Sequence, residues 1–206
     1  MVIACLSAVD KREYLMANAD LSTLSLPPVT ILMGVCGCGK TEVGLRLASL
    51  TGGIFHDGDD FHPPENVAKM ARNEPLDDSD RTPWLERIRS EAIVPALESD
   101  AGSVFVACSA LKRIHRDRLR AGLPADRVWF VHLQGSRDLI TRRMRARQGH
   151  FMKAEMVASQ FATLEVPAGD ERAVTVNVNA TVDEVAREAI RALDAAFARR
   201  REGVKA

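Results

Sequence analysis

The chain has 206 residues, 46% of them hydrophobic and 27% charged, with Lys plus Arg and Asp plus Glu both at 28. Such a composition suits one soluble domain with a real core. A formal net charge of zero excludes a global basic field for nucleic acid or an anionic membrane, so any anion site must be local.

The opening residues, MVIACLSAVDKREYLM, lack a basic lead and run quickly into charges, which reads poorly as a signal peptide. No stretch approaches the ~20 apolar residues of a membrane span. Cys5, Cys36, Cys38 and Cys108 form no paired CxxC units, and none stands near a histidine at zinc spacing. Free thiols in a reducing cytoplasm are the simplest expectation. Residues 1–26 form an extension without recognisable chemistry, and residues 27–206 a single domain.

From Val29 the pattern becomes regular. Val29–Met33 is a continuous apolar run, as expected of a strand buried on both faces. A glycine-rich turn follows, then a predicted helix over Thr41–Leu50 with Val43, Leu47 and Leu50 on one face. Further strands are predicted at Ile54–His56, Val104–Ala107, Val128–Leu133 and Val174–Val178. Between and after them, helices are predicted at Trp84–Leu97, Ala110–Arg120, Ser136–Arg147, Glu155–Leu164 and Val182–Arg199. Pro83 suits the opening turn of the first of these. Alternation of strand and helix implies an α/β fold, a parallel sheet in three layers, with ligands at the carboxyl ends of its strands.

Gly34-Val35-Cys36-Gly37-Cys38-Gly39-Lys40-Thr41 matches GxxxxGK[ST] between that first strand and helix. Glycines let backbone N–H groups turn toward phosphate oxygens, and the helix N-terminus adds partial positive charge. Lys40 supplies a mobile full charge, and Thr41 a hydroxyl for Mg²⁺. The cysteines in the loop admit two readings. A helix N-terminus lowers thiol pKa, which would permit a redox switch; more simply, they are small side chains in a tight loop. No NKxD guanine-reading element occurs. The second strand instead runs into Asp57-Gly58-Asp59-Asp60, whose carboxylates suit Mg²⁺ and a hydroxyl proton.

Residues 57–85, DGDDFHPPENVAKMARNEPLDDSDRTPWL, resemble the gluconokinase signature DGDxxHPxxNxxKMxxGxPLxDxDRxPWL. CSALKRIHRDRLR (Cys108–Arg120) resembles the family's CSALKxxYRDxLR, and RMRARQGHFMKAEMVASQFATLE (Arg143–Glu165) its lid region. The resemblance spans residues 29 to about 190. Departures are Cys36 and Cys38 where serines are usual, Asn73 for glycine and His115 for tyrosine. Asn tolerates left-handed backbone angles, which makes the second swap mild.

The resemblance implies a P-loop kinase with a five-stranded parallel core, a substrate-binding insertion at about 60–100 and a helical lid at about 143–165. It implies ATP and Mg²⁺ as cofactors, gluconate as the small-molecule partner, and a homodimer as is common among relatives. Asp57 would join Thr41 in holding magnesium, and Asp59 would orient or deprotonate the attacking hydroxyl. Lys40, Asp59 and Arg147 would form the catalytic set. For the substrate, His62, Lys69, Arg81, Ser109 and Lys112 lie in the matching segments. Arg81, able to grip a carboxylate bidentately, ranks first and Lys112 second; each could equally be a surface ion pair. Arg143 and Arg147, four apart on one helix face, have the spacing for one to stack on the base and the other to reach a phosphate. Arg142 and Arg145 would point to solvent, His150 matches the lid histidine, and Asn179-Ala180-Thr181 would lie near the adenine. Met70 and Trp84 read as packing residues. Other kinases of the same fold, shikimate-type or nucleotide-directed, and a nucleotide-binding regulator without turnover are the competing readings.

Overall fold

The computed structural model describes residues 24–72, 74–99, 102–146 and 154–203. Expectations that fall on Cys5, Asn73, Arg147 and His150 lie outside the described residues, as does most of the 1–26 extension. β1 (Val29–Met33), β2 (Ile54–Asp57), β3 (Val104–Ala107), β4 (Val128–Gln134) and β5 (Ala173–Asn177) form one parallel sheet in the order β2-β3-β1-β4-β5. The most apolar run holds the centre: every residue of β1 is buried, with Val29 opposite Val104 on one side and Val128 on the other.

Alternation along β1 divides the core in two. Leu32 packs with Val43, Leu47, Phe105, Val131 and Leu193 on one face. Ile31 and Met33 pack with Ile88, Ile93, Val106 and Phe130 on the other. Each such side chain, fully buried, contributes about 1.5–3 kcal/mol against exposure, so the two layers lock β1, and the loop at its end, in place. α1 (Lys40–Thr51) and the long C-terminal helix α8 (Val182–Gly203) cover the first face.

The helices near the substrate segments differ from the sequence expectation. α2 (Pro64–Ala71) was not foreseen; its proline at the first position needs no N–H partner. α3 runs Asp78–Ile88, so Pro83 lies inside the helix rather than in its opening turn. The start is set by Asp77, whose side chain accepts from Ser79 N and Asp80 N while Asp80 reaches back to Asp77 N. This reciprocal cap supplies partners for otherwise orphan N–H groups and outweighs the proline signal. The rod widens into a π turn at Arg89–Ile93 before α4 (Val94–Glu98), where Pro95 interrupts the helical ladder. α5 is Arg113–Arg120, shorter than expected, because Ala110 adopts a left-handed φ of 41°. α6 (Arg137–Ala146) and α7 (Ala154–Thr163) complete the set within a residue of expectation among the described positions.

Candidate active site

The loop after β1 needs backbone that only glycine adopts freely: Gly34, Gly37 and Gly39 have φ of 136°, 83° and 98°. It delivers the chain to the N-terminus of α1. Lys40 Nζ donates to Gly34 O at 3.1 Å and Val35 O at 3.2 Å, folded back over the loop whose amides it would assist. Cys38 is buried, and burial pushes its thiol pKa up despite the Lys40 charge. A raised thiol pKa disfavours thiolate, so at Cys38 the steric reading of the loop cysteines prevails over the redox one. Cys36 N–H donates to Gln160 Oε1 at 2.6 Å, which ties the phosphate loop to α7. Gln160 lay within the quoted SQF stretch, yet nothing in its spacing pointed to this contact.

Beside the loop opens a cavity of about 390 Å³ lined by Gly37, Gly39, Arg143, Val178 and Ala180 among others. Arg143 donates from Nη2 to the Val178 carbonyl at 2.7 Å, which braces α6 against the end of β5. Ala180 therefore brings the expected adenine turn to the cavity. Arg142 and Arg145 are exposed.

The acidic turn after β2 lies next to the phosphate loop. Thr41 Oγ1 donates to Asp57 Oδ2 at 2.9 Å, while Asp57 Oδ1 accepts from Asp59 N at 3.1 Å and caps a 3₁₀ turn, Gly58–Phe61. Gly58 has a packing reason: a Cβ there would sit 2.2 Å from the Ala107 carbonyl of β3. The crowding of the cleft walls and the Asp57 charge hold the Asp59 pKa above the ordinary carboxylate value, with Lys40 opposing. Solvent still reaches 87% of the Asp59 side chain, so the crowding is that of an open cleft rather than a closed interior. Among the described residues no cluster of three or more His, Cys, Asp or Glu could hold a metal alone. Thr41 and Asp57 instead form a one-carboxylate, one-hydroxyl pair, the donor set of a magnesium that keeps waters and phosphate oxygens in its shell.

The substrate candidates separate into two groups. Burial pushes the Cys108 thiol, just beyond β3, up to about 12, and the charges of Lys40, Asp59 and Arg81 are all felt there. Arg81 also donates to the Leu76 carbonyl and adds its charge near His62 and His115. The Ser109 carbonyl accepts from Gly34 N at 3.2 Å, joining the substrate loop to the phosphate loop. Lys69 and Lys112 are already paired, with Asp80 and Asp78, each at 2.6 Å. Lys69 thereby reinforces the α3 cap. Asp78 also receives His115 Nε2 at 3.1 Å, which occupies the position where tyrosine is usual. Trp84, read as packing, also donates to Gly58 O at 2.7 Å and stacks on His62.

A phosphate loop at the end of the central strand, an acidic turn on the neighbouring loop and a parallel sheet of this order define a P-loop kinase. No protein-family model matches the chain. It is 43% identical over 167 residues to the thermosensitive gluconokinase of Escherichia coli K12, covering 79% of this chain and 87% of that protein. A gluconokinase structure from Sinorhizobium meliloti 1021 superposes with a TM-score of 0.70 at 41% identity, covering 87% and 97%. An unliganded sugar kinase from Janibacter sp. gives 0.72 at 40% identity, covering 82% and 96%. The chain belongs to the gluconokinase family.

Proposed function

We propose that the protein transfers the γ-phosphoryl group of ATP to the terminal hydroxyl of D-gluconate, giving ADP and 6-phospho-D-gluconate. The observation that carries this is the contact between the phosphate-loop helix and the acidic turn, Thr41 Oγ1 to Asp57 Oδ2 at 2.9 Å, with Asp59 on the turn that Asp57 caps. Phosphoryl transfer needs alignment and charge neutralisation more than covalent chemistry, and these groups supply both.

In this reading the amides of Gly34–Thr41, with Val35, Cys36 and Cys38 inside the loop, cradle the phosphates, and Lys40 leaves its carbonyl partners to meet them. Mg²⁺, held through Thr41 and Asp57, would neutralise phosphate charge. Asp59 orients the hydroxyl and accepts its proton. Arg81 takes the substrate carboxylate; Lys112, paired with Asp78, Ser109 and His62 supply further substrate contacts. Lys69 acts through the α3 cap. Arg143 borders the adenine side, and Arg147, outside the described residues, completes the catalytic set.

A coupled ADP-release assay across gluconate, shikimate and nucleoside monophosphates tests the choice within the fold class. Turnover with gluconate alone is expected. Turnover with a monophosphate but not gluconate contradicts the reading, and nucleotide binding without any phosphorylated product would indicate a regulator. Among the described residues no helix is long and apolar enough to cross a membrane.

A further inference from the structure

The His62 ring lies against Trp84, with centroids 4.3 Å apart and planes 11° apart. Its Nδ1 is 3.3 Å from Asn66 Nδ2. The same Asn66 nitrogen donates to the Asp80 carbonyl at 2.9 Å. A carbonyl oxygen only accepts, so the Asn66 atom facing both partners must be its NH₂ group. Asp80, not His62, therefore fixes which way the amide points. One N–H goes to Asp80 and the other to His62 Nδ1, which must accept through its lone pair. Burial first, and the Arg81 charge second, lower the His62 pKa to about 4, so the ring is neutral near pH 7. A neutral ring carries one proton, and here it is on Nε2.

Nε2 faces Asp59 Oδ1 across 3.8 Å. That is too long for a direct hydrogen bond. It is a separation that one hydroxyl oxygen, about 2.8 Å from each atom, can bridge. Such an oxygen accepts from Nε2–H and donates its own proton to the carboxylate. With the opposite tautomer, a nitrogen lone pair would face the hydroxyl oxygen and the carboxylate together. An oxygen without a proton would set its lone pairs against Asp59.

We propose that Asn66 is a positioning residue that fixes His62 as the Nε2–H tautomer, so that His62 and Asp59 together hold a sugar hydroxyl with its proton aimed at Asp59. The idea rests on the kinase reaction above and deepens it. It gives Asn66, buried on α2 and remote from the phosphate loop in sequence, a part in substrate selection.

Long-range ¹⁵N–¹H correlation spectra of the substrate-free protein read the tautomer directly, with His62 assigned by the signal lost in His62→Gln. The expected ring has a pyrrole-like Nε2 and a pyridine-like Nδ1. Asn66→Asp keeps the shape but replaces the donor with an acceptor. It should move the proton to Nδ1 or doubly protonate the ring, and lower kcat/KM for gluconate roughly 10- to 100-fold with the ATP KM unchanged. A wild-type ring carrying its proton on Nδ1 overturns the assignment, and it is read without any variant, so misfolding of Asn66→Asp does not protect it. A folded Asn66→Asp enzyme with unchanged gluconate kcat/KM overturns it too. Absence of gluconate turnover in the wild type would sink the reaction, while the tautomer, measured without substrate, stands or falls separately.

Discussion

At the scale of single residues, the account depends on charges whose strength is set by neighbours. Asp59 must be ionised to accept a hydroxyl proton, yet the cleft walls and Asp57 favour its protonated form. Its carboxyl should therefore titrate above 3.8, the ordinary value, in the nucleotide-free protein. Carboxyl ¹³C shifts followed against pH measure this, and a midpoint at or below the ordinary value contradicts it. The sign carries over to function: a raised pKa means the proton-accepting form is lost earlier as pH falls. The sequence displayed these charges but not their pairing. Arg81, Lys69 and Lys112 look alike as cations near one motif, and only the fold shows Lys69 and Lys112 joined to Asp80 and Asp78. Likewise Asn66 and Gln160 carry no formal charge, and their roles come from partners 14 and 124 residues away.

Among the elements, strands were legible because burial on both faces forces continuous apolar runs, as in β1 and β4. The helices of the substrate segment were less so. α2 and α3 are short and polar, and their limits depend on caps and prolines rather than apolar period. Asp77 starts α3 well before Pro83, against the simple proline rule. Gly58 shows the same dependence on packing: it reads as a turn glycine in DGDD, but its lack of a Cβ lets the turn lie on the Ala107 carbonyl. Gly58→Ala should lower stability by about 1–3 kcal/mol and shift Asp57 and Asp59 enough to depress kcat. Urea denaturation with parallel kinetics checks both. Wild-type stability and turnover together would show that the close approach is not required.

Across the whole molecule, one buried ion pair joins segments far apart in the chain. Arg116 donates to Glu171 from Nε at 2.6 Å and Nη2 at 2.9 Å, and both side chains are 1% accessible. Its Nη1 donates to the carbonyls of Ala110, Leu111 and Glu165. The guanidinium thus fastens the left-handed Ala110 turn of the substrate loop to the segment that leaves α7. Replacing the pair by apolar groups could be neutral, but removing one partner leaves a buried charge unpaired. Glu171→Ala is expected to cost about 3–5 kcal/mol in equilibrium unfolding; a loss below about 1 kcal/mol would mean the pair adds little beyond its packing.

The central claim is that a phosphate loop and an acidic turn together phosphorylate a sugar acid. Its most direct test is ³¹P NMR of gluconate incubated with the purified protein, ATP and magnesium. The account predicts a phosphomonoester on the terminal carbon, equal in amount to the ADP formed, and at least about a hundredfold slower formation with a folded Lys40→Ala variant. No phosphorylated aldonate from the wild type, or undiminished formation by Lys40→Ala, would contradict it.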